Sequence, residues 1–332
     1  MTNVYHDHDA SLDALADKTI AVLGYGNQGR SQALNLRDSG LRVVVGNRAD
    51  AYADLARKDG FDPASIEAAA KVGDVILMLL PDEVAPEVFE SQIVASLSSG
   101  KTIDFASGYN IAFGLISPPR EVDVVLVAPR MIGAGVRELF VAERGYPCFV
   151  GIEQDTTGRA LETALALAKG IGATRLGVVE VSCTQEAELD LFTEQCFGPA
   201  FGRVLTTAVD LLLEEGYPPE AVLLEMYLSG EFAYTLQKIA ELGLVAQTGL
   251  HSPTSQYGSM SRGLRFSLQE LRERMMEGLD EIRSGAFARE WSAEQEAGYP
   301  MLEMLRSAAR QIPLHETEQQ VRKAIFGADE PG

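Results

Sequence analysis

Residues 19 to 29, TIAVLGYGNQG, are the stretch from which the rest of the chain can be read. An apolar run over 20 to 23 ends in Gly24, Gly26 and Gly29, the G-x-G-x-x-G spacing that turns a strand tightly into a helix. At such a turn the first glycine makes the bend, the second lets backbone approach a pyrophosphate, and the third lets helix pack on strand. The helix N-terminus then faces the negative charge. The stretch therefore predicts a dinucleotide site made by Gly24, Tyr25, Gly26, Asn27, Gln28 and Gly29. By itself the spacing also fits a plain turn with no ligand, so its surroundings have to decide.

Working outward, residues 28 to 38 read as a helix that stops at Gly40, and 42 to 45 (RVVV) as a second buried strand. Further apolar runs lie at 74 to 80, 101 to 105, 122 to 127, 148 to 152 and 177 to 181, with helical stretches such as 83 to 97 and 156 to 169 between several of them. Strands rich in Val, Ile and Leu that alternate with helices predict a mostly parallel sheet covered on both faces, a doubly wound α/β domain of the Rossmann type. Past Ser182 the β-branched runs stop and helical periodicity takes over, through 186 to 215, 219 to 242, 268 to 283, 286 to 296 and 301 to 310. Two domains are expected: a nucleotide-binding domain over 1–182 and an all-helical domain over 183–332. The stretch 249 to 263 (GLHSPTSQYGSMSRG) reads as a loop between helices.

Composition narrows the function. The chain has 332 residues, with 28 basic against 48 acidic side chains and a formal charge of −20. That balance repels nucleic acid and anionic membrane, which leaves a small-molecule substrate as the expected partner. Cys148, Cys183 and Cys196 are odd in number and form no C-x-x-C pair, which suits free thiols in a reducing compartment. The first residues lack a basic start followed by an apolar run, and no stretch reads as the roughly 18 apolar residues of a membrane span. A cytoplasmic protein is the expectation.

Several side chains could carry chemistry. Arg48 and Asp50 follow the second strand, where an adenosine ribose would lie. Arg48 suits a 2′-phosphate and Asp50 a free 2′-hydroxyl, and NADP(H) is favoured over NAD(H). Pro81, directly after the run 74 to 80, completes the expected cofactor set. In the helical part Glu186, Asp190 and Glu194 are spaced i, i+4, i+8 on one stripe, which fits either a hard divalent cation such as Mg²⁺ or a solvated acidic face.

The G-Y-G-x-Q-G turn, P-R-M-I-G-A-G-V-R at 129 to 137, D-L-F-T-E-Q at 190 to 195, E-E-G-Y-P-P-E at 214 to 220 and the N-terminal Y-x-D-x-D at 5 to 9 resemble ketol-acid reductoisomerase in its short, class I form. The resemblance runs nearly end to end. It implies a Rossmann domain followed by a knotted helical domain, a homodimer or higher homo-oligomer with shared active sites, and a reaction on acetohydroxy acids with NAD(P)H and two Mg²⁺ ions in branched-chain amino-acid synthesis. It also implies metal-bridging roles for Asp190 and Glu194 and a substrate contact for Ser252.

Three positions depart from the family pattern. Ser107, before Gly108, stands where the family has histidine; Arg130 replaces a lysine, and Ile132 a proline. The family's two remaining glutamates lie four apart, whereas their counterparts here, Glu225 and Glu231, lie six apart, with Ser229 at the i+4 position. On one regular helix a separation of four turns the side chains by about 40° and one of six by about 240°, so the pair would not share a face. Read this way, the metal set of Asp190, Glu194, Glu225 and Glu231 is degraded and Mg²⁺ binding is left open. The expected protein is then an NAD(P)H-dependent reductase of a C=O or C=N substrate, with Arg130 as a fixed positive charge and Ser107, Tyr227 or Tyr109 as proton relay. A working reductoisomerase converting 2-acetolactate with Mg²⁺, and a non-catalytic nucleotide-binding protein, are the alternatives.

Overall fold

The computed structural model describes residues 2–327, which fall into two compact units, Met1–Asp190 and Leu191–Gly332. The first unit is built on an eight-stranded sheet: β1 (Val4–Tyr5), β2 (Thr19–Leu23), β3 (Arg42–Gly46), β4 (Val75–Met78), β5 (Thr102–Phe105), β6 (Asp123–Pro129), β7 (Cys148–Gln154) and β8 (Val178–Glu180). Their order is β1-β8-β7-β6-β5-β4-β2-β3. The stretch from β3 to β6 is parallel, β7 runs antiparallel to β6, and β1 closes the edge antiparallel to β8.

The unbroken apolar runs are explained by burial on both faces. One face, with Val22, Leu77, Val125, Val127 and Val150, packs under the helices Asn27–Asp38 and Ala160–Gly170. The other, with Leu23, Ile76, Met78, Ile103 and Phe105, packs under the helix Ile66–Val72 and the segment around Phe89 and Ile93. A strand with solvent on one side would alternate polar and apolar residues, and these do not.

The first unit extends past 182 because the helix Cys183–Phe192 starts within it: Cys183 is buried against Leu126 and Ala128. Beyond that helix the second unit is helical, as the periodicity predicts, with differences in detail. The stretch 249 to 263 is not a loop. It holds the helix Pro253–Gly263, capped by the Ser252 hydroxyl, which accepts from the Ser255 N–H at 3.3 Å, with Pro253 at the first position. Pro there loses no needed hydrogen bond and brings a preset φ, so the Ser-rich composition conceals a well-started helix. A last helix, Pro313–Phe326, adds Val321 to a small core with Val209, Val222 and Leu223.

The expected helix over 219 to 242 is two helices. A π-helical turn, Leu224–Leu228, leads to Gly230 in a left-handed conformation (φ 80°), and Glu231–Leu242 starts afresh from there. Cys183–Glu214 is a continuous helical run long and apolar enough, by length and composition, to cross a membrane, which the sequence reading did not anticipate.

Candidate active site

Parallel pairing places Leu23 beside Met78 and Met78 beside Phe105, so the carboxyl ends of β2, β4 and β5 are level. Ligands of open α/β sheets bind outside this edge. The glycine turn, Pro81 and Ser107 all follow these strand ends.

At the turn the three glycines do different things. Gly24 has φ 93°, and a Cβ there would stand 2.5 Å from the Leu79 carbonyl oxygen. At Gly29 a Cβ would stand 2.0 Å from the Gly24 carbonyl oxygen. These two are required by the fold itself. A Cβ at Gly26 would meet nothing within 4 Å, and no side chain caps the helix that begins there. Unused first-turn N–H groups beside an open cradle fit a phosphate.

The side chains around the turn are committed elsewhere. Tyr25 is buried, with its hydroxyl on Asp59 at 3.1 Å, and Gln28 donates to the Met131 carbonyl at 2.8 Å. The Tyr25 N–H donates to Asn47 Oδ1 at 3.0 Å, which ties the turn to the end of β3. Asn47 is a residue that sequence reading missed; its place directly after a strand beside the turn was the available signal.

After β3, Asp50 caps the helix Ala51–Lys58, accepting from the N–H groups of Tyr52 and Ala53 at 2.9 and 3.2 Å. Arg48 reaches Asp50 at 2.7 Å with its side chain 81% exposed. The Arg48 bond holds the Asp50 carboxyl below its ordinary range. Asp50 is thus occupied by the fold, while Arg48 keeps donors free for an anion.

The second group of residues lies after β5 and β6. Arg130 donates through Nη1 to Glu186 Oε1 at 2.7 Å and through Nη2 to Asp190, and its guanidinium lies 5.1 Å from the centre of the Phe149 ring. The other Glu186 oxygen accepts the Gly108 N–H at 2.6 Å. Gly108 is required at this contact, since a Cβ would stand 2.1 Å from the Cys183 carbonyl oxygen. Glu186 is almost fully buried and its pKa is raised, burial outweighing the Gly108 bond and the Arg130 charge.

Ser107 stands beside Asp82, a residue the sequence reading did not single out. The Ser107 hydroxyl lies 3.5 Å from Asp82 Oδ2, and Asn110 Nδ2 donates to Asp82 Oδ1 at 3.2 Å. Burial, then repulsion from Glu186 and Glu83, pushes the Asp82 carboxyl up to about 6. Tyr109 is buried with its hydroxyl unpartnered, and burial raises it to about 12.

Other expected residues lie in the second unit. Glu194 is in the π-helical turn Thr193–Phe197, and Tyr227 gives its hydroxyl to Glu318, with burial raising its pKa. Ser252 is the helix cap described above, Glu225 lies in its own π turn, and Glu231 opens the next helix. Among the described residues no three His, Cys, Asp or Glu side chains gather where they could hold a metal ion.

Residues 14–177 match the family model described as acetohydroxy acid isomeroreductase, NADPH-binding domain, and residues 183–326 that of the ketol-acid reductoisomerase C-terminal domain. The chain belongs to the ketol-acid reductoisomerase family. It is 44% identical over 321 residues to a putative ketol-acid reductoisomerase 3 of Saccharolobus solfataricus, covering 96% of each chain. It is 42% identical to ketol-acid reductoisomerase (NADP(+)) of Pyrobaculum aerophilum, over 98% of this chain and all of that one. The solved structure of an NADH-preferring ketol-acid reductoisomerase from an uncultured archean superimposes with a TM-score of 0.90 at 35% identity, over 97% of this chain and 98% of that one. As a member of the ketol-acid reductoisomerase family the protein is an NAD(P)-dependent oxidoreductase. The relatives' names favour the reductoisomerase alternative and lend no support to a reductase that has lost its isomerase step.

Proposed function

We propose that the chain is a working ketol-acid reductoisomerase that converts 2-acetolactate to 2,3-dihydroxyisovalerate with reduced cofactor and Mg²⁺, a step of branched-chain amino-acid synthesis in the cytoplasm. The observation that carries this reading over the reductase-only one is the helix break at Gly230. Glu225 and Glu231 would point apart only if they lay on one regular helix. A π turn and a left-handed residue between them remove that condition, because the 100° per residue of an α-helix no longer fixes their relative direction.

In this reading the Gly26 cradle and the first turn of Asn27–Asp38 hold the cofactor pyrophosphate, Pro81 borders the cofactor, and Arg48 answers a 2′-phosphate, which favours NADP(H). The cofactor supplies the hydride. Asp190, Glu194, Glu225 and Glu231 offer only carboxylate oxygens, the donor set of a hard cation; they would hold Mg²⁺, which would supply a Lewis acid for substrate oxygens. Asp190 also accepts a hydrogen bond from the Arg130 guanidinium. Ser252 contacts the substrate carboxylate.

In this reading the carboxylate pairs come from two chains of a homodimer or higher homo-oligomer, knotted in its helical part. The apolar residues Phe197, Val204 and Leu211, seven apart on one helical stripe and 56%, 62% and 56% exposed, support such an interface.

The test is turnover of 2-acetolactate with NADPH and NADH, with Mg²⁺ and with excess EDTA. Activity that disappears in EDTA and returns with Mg²⁺ is expected. Persistent reduction of other 2-keto acids or cyclic imines in EDTA, with no conversion of 2-acetolactate, would restore the reductase-only reading. Cofactor binding without any turnover would leave a nucleotide-binding protein. Arg48→Ala is expected to weaken NADPH more than NADH, and equal losses would make Arg48 a plain loop charge.

A further inference from the structure

Asp82 is a half-buried carboxyl at the carboxyl edge of the sheet to which the proposed reaction, as derived so far, gives no part. Its surroundings are unusually one-sided. Asn110 fixes Oδ1 from the side chain at 3.2 Å and also donates to the Asp82 carbonyl at 3.2 Å. Oδ2 is left facing Ser107 at 3.5 Å. The charged groups that act on it are Glu83 on its own segment and Glu186 and Asp190 on the helix Cys183–Phe192, all acidic, the last two paired with Arg130, while the Ser107 hydroxyl and the Asn110 amide favour its ionised form. Tyr109, on the segment after β5, is a neutral phenol.

With Asp82 ionised the Ser107 hydroxyl donates to Oδ2, and when Asp82 carries its proton on Oδ2 the direction of that bond reverses. A hydroxyl has two acceptor lone pairs and one hydrogen. The Tyr109 N–H donates to Ser107 Oγ at 3.3 Å and takes one lone pair. A protonated Asp82 Oδ2 takes the other. The hydroxyl hydrogen is then released for a third partner, outside this cluster.

We propose that Ser107, resupplied by Asp82, donates the proton that completes carbonyl reduction at this site. The inference rests on the reductoisomerase reading above. When a hydride arrives at the carbonyl carbon, a C–H bond forms there, the C=O π bond becomes an alkoxide and the nicotinamide is oxidised. The Ser107 O–H bond breaks as the alkoxide O–H bond forms. The Asp82 Oδ2–H bond breaks as the Ser107 O–H bond is remade, and the Asp82 carboxylate takes a proton from solvent. The overall reaction consumes one proton per hydride, as the reduction of a ketone must. A resting contact of 3.5 Å is within what such relays show before substrate tightens them. A carboxyl near pH 6 is well matched to a donor that must recover its proton at each turnover.

Asp82→Asn and Ser107→Ala test the relay, measured with 2-acetolactate, saturating cofactor and Mg²⁺ across pH 5 to 9. Each variant is expected to lose about 100-fold in kcat with little change in KM, and the double variant to lose no more than either single one. The wild-type decline in kcat on the alkaline side, as Asp82 deprotonates, is expected to vanish in Asp82→Asn. Cofactor affinity, read by fluorescence, should stay within about threefold, which a merely misfolded variant would not manage. An Asp82→Asn variant with kcat within threefold of wild type, or with the wild-type alkaline decline intact, would overturn the proposal. A wild-type protein that does not convert 2-acetolactate would sink the reductoisomerase reading and the relay with it, whereas an active wild type with an insensitive Asp82→Asn sinks the relay alone.

Discussion

The two units of the chain treat their apolar residues in opposite ways. In the first, the strand residues Ile20, Val22, Ile76, Leu77, Ile103, Val125 and Leu126 are almost wholly out of water, between two helical layers. In the second, Val209, Val222, Leu223 and Val321 form a small shared core, while Phe197, Val204, Leu211, Leu244, Val245 and Leu264 stay exposed. Burying apolar surface contributes about 25 cal/mol per Å², so a unit that leaves so much in water forgoes much of its own stabilisation. The contrast teaches where apolar surface is covered within one chain and where it is not. The sheet unit has a self-sufficient core, and the helical unit leaves exposed the kind of apolar surface that the proposed homodimer would cover.

The largest expected effect breaks that comparison directly. Val204→Glu combined with Leu211→Glu puts two charges on the exposed stripe of the helix Gly198–Glu214. Burying an unpaired carboxylate in an apolar interface costs several kcal/mol, enough to dissociate a dimer at micromolar concentration. Sedimentation velocity should show dimers or larger for the wild type and monomers for the variant, with 2-acetolactate turnover lost and cofactor binding kept. A wild-type monomer, or a variant that stays dimeric, would mean that the stripe is ordinary surface.

A second test probes the sheet unit's claim to a self-sufficient core. Asp104 on β5 is wholly buried, and the Val127 backbone lies near its carboxyl, beyond good hydrogen-bond geometry. Burial raises its pKa well above the ordinary value, which favours the neutral form in the folded chain. The sign follows from linkage. A carboxyl whose folded pKa is raised contributes its full stability below the unfolded value of about 3.9, and that contribution is lost as pH rises towards the folded pKa, by about 1.4 kcal/mol per pH unit. Asp104→Asn cannot ionise. Urea melts from pH 5 to 8 should therefore show the variant gaining on the wild type as pH rises, and a constant difference would mean that Asp104 is ionised and paired.

How much of this was legible in the sequence depends on the range of the interaction. The strands were readable because burial on both faces leaves continuous Val, Ile and Leu runs, and Gly24, Gly26 and Gly29 because the turn imposes their spacing. The helix Pro253–Gly263 was misread because Ser252 and Pro253, which start it, are also the residues of loops. The grouping of Arg130 with Glu186 and Asp190, and of Ser107 with Asp82, was not readable from spacing. Those partners are 56, 60 and 25 residues apart, and only the sheet register brings them together. The break at Gly230 was hidden for another reason: a glycine inside a helical pattern costs little, so composition does not mark where it becomes a left-handed stop.

The smallest expected effect sharpens the helical side of the comparison at that glycine. A Cβ on Gly230 would meet nothing within 4 Å, so Gly230→Ala introduces no clash. What it introduces is a left-handed alanine at φ 80°, which costs about 1–2 kcal/mol. The chain can accept that cost with the break kept, or relieve it by joining the π turn Leu224–Leu228 to Glu231–Leu242 as one regular helix. The second outcome would return Glu225 and Glu231 to the about 240° separation of a regular helix and disperse the proposed metal set. If the break is what allows both glutamates to serve, Gly230→Ala should lower thermal stability by only a few degrees while weakening Mn²⁺ binding, read by electron paramagnetic resonance, by tenfold or more. Gly230→Asn, which tolerates the left-handed conformation, should recover most of the Mn²⁺ affinity. Unchanged Mn²⁺ affinity in Gly230→Ala would separate the break from the metal, and the four-carboxylate centre would lose the observation that supports it.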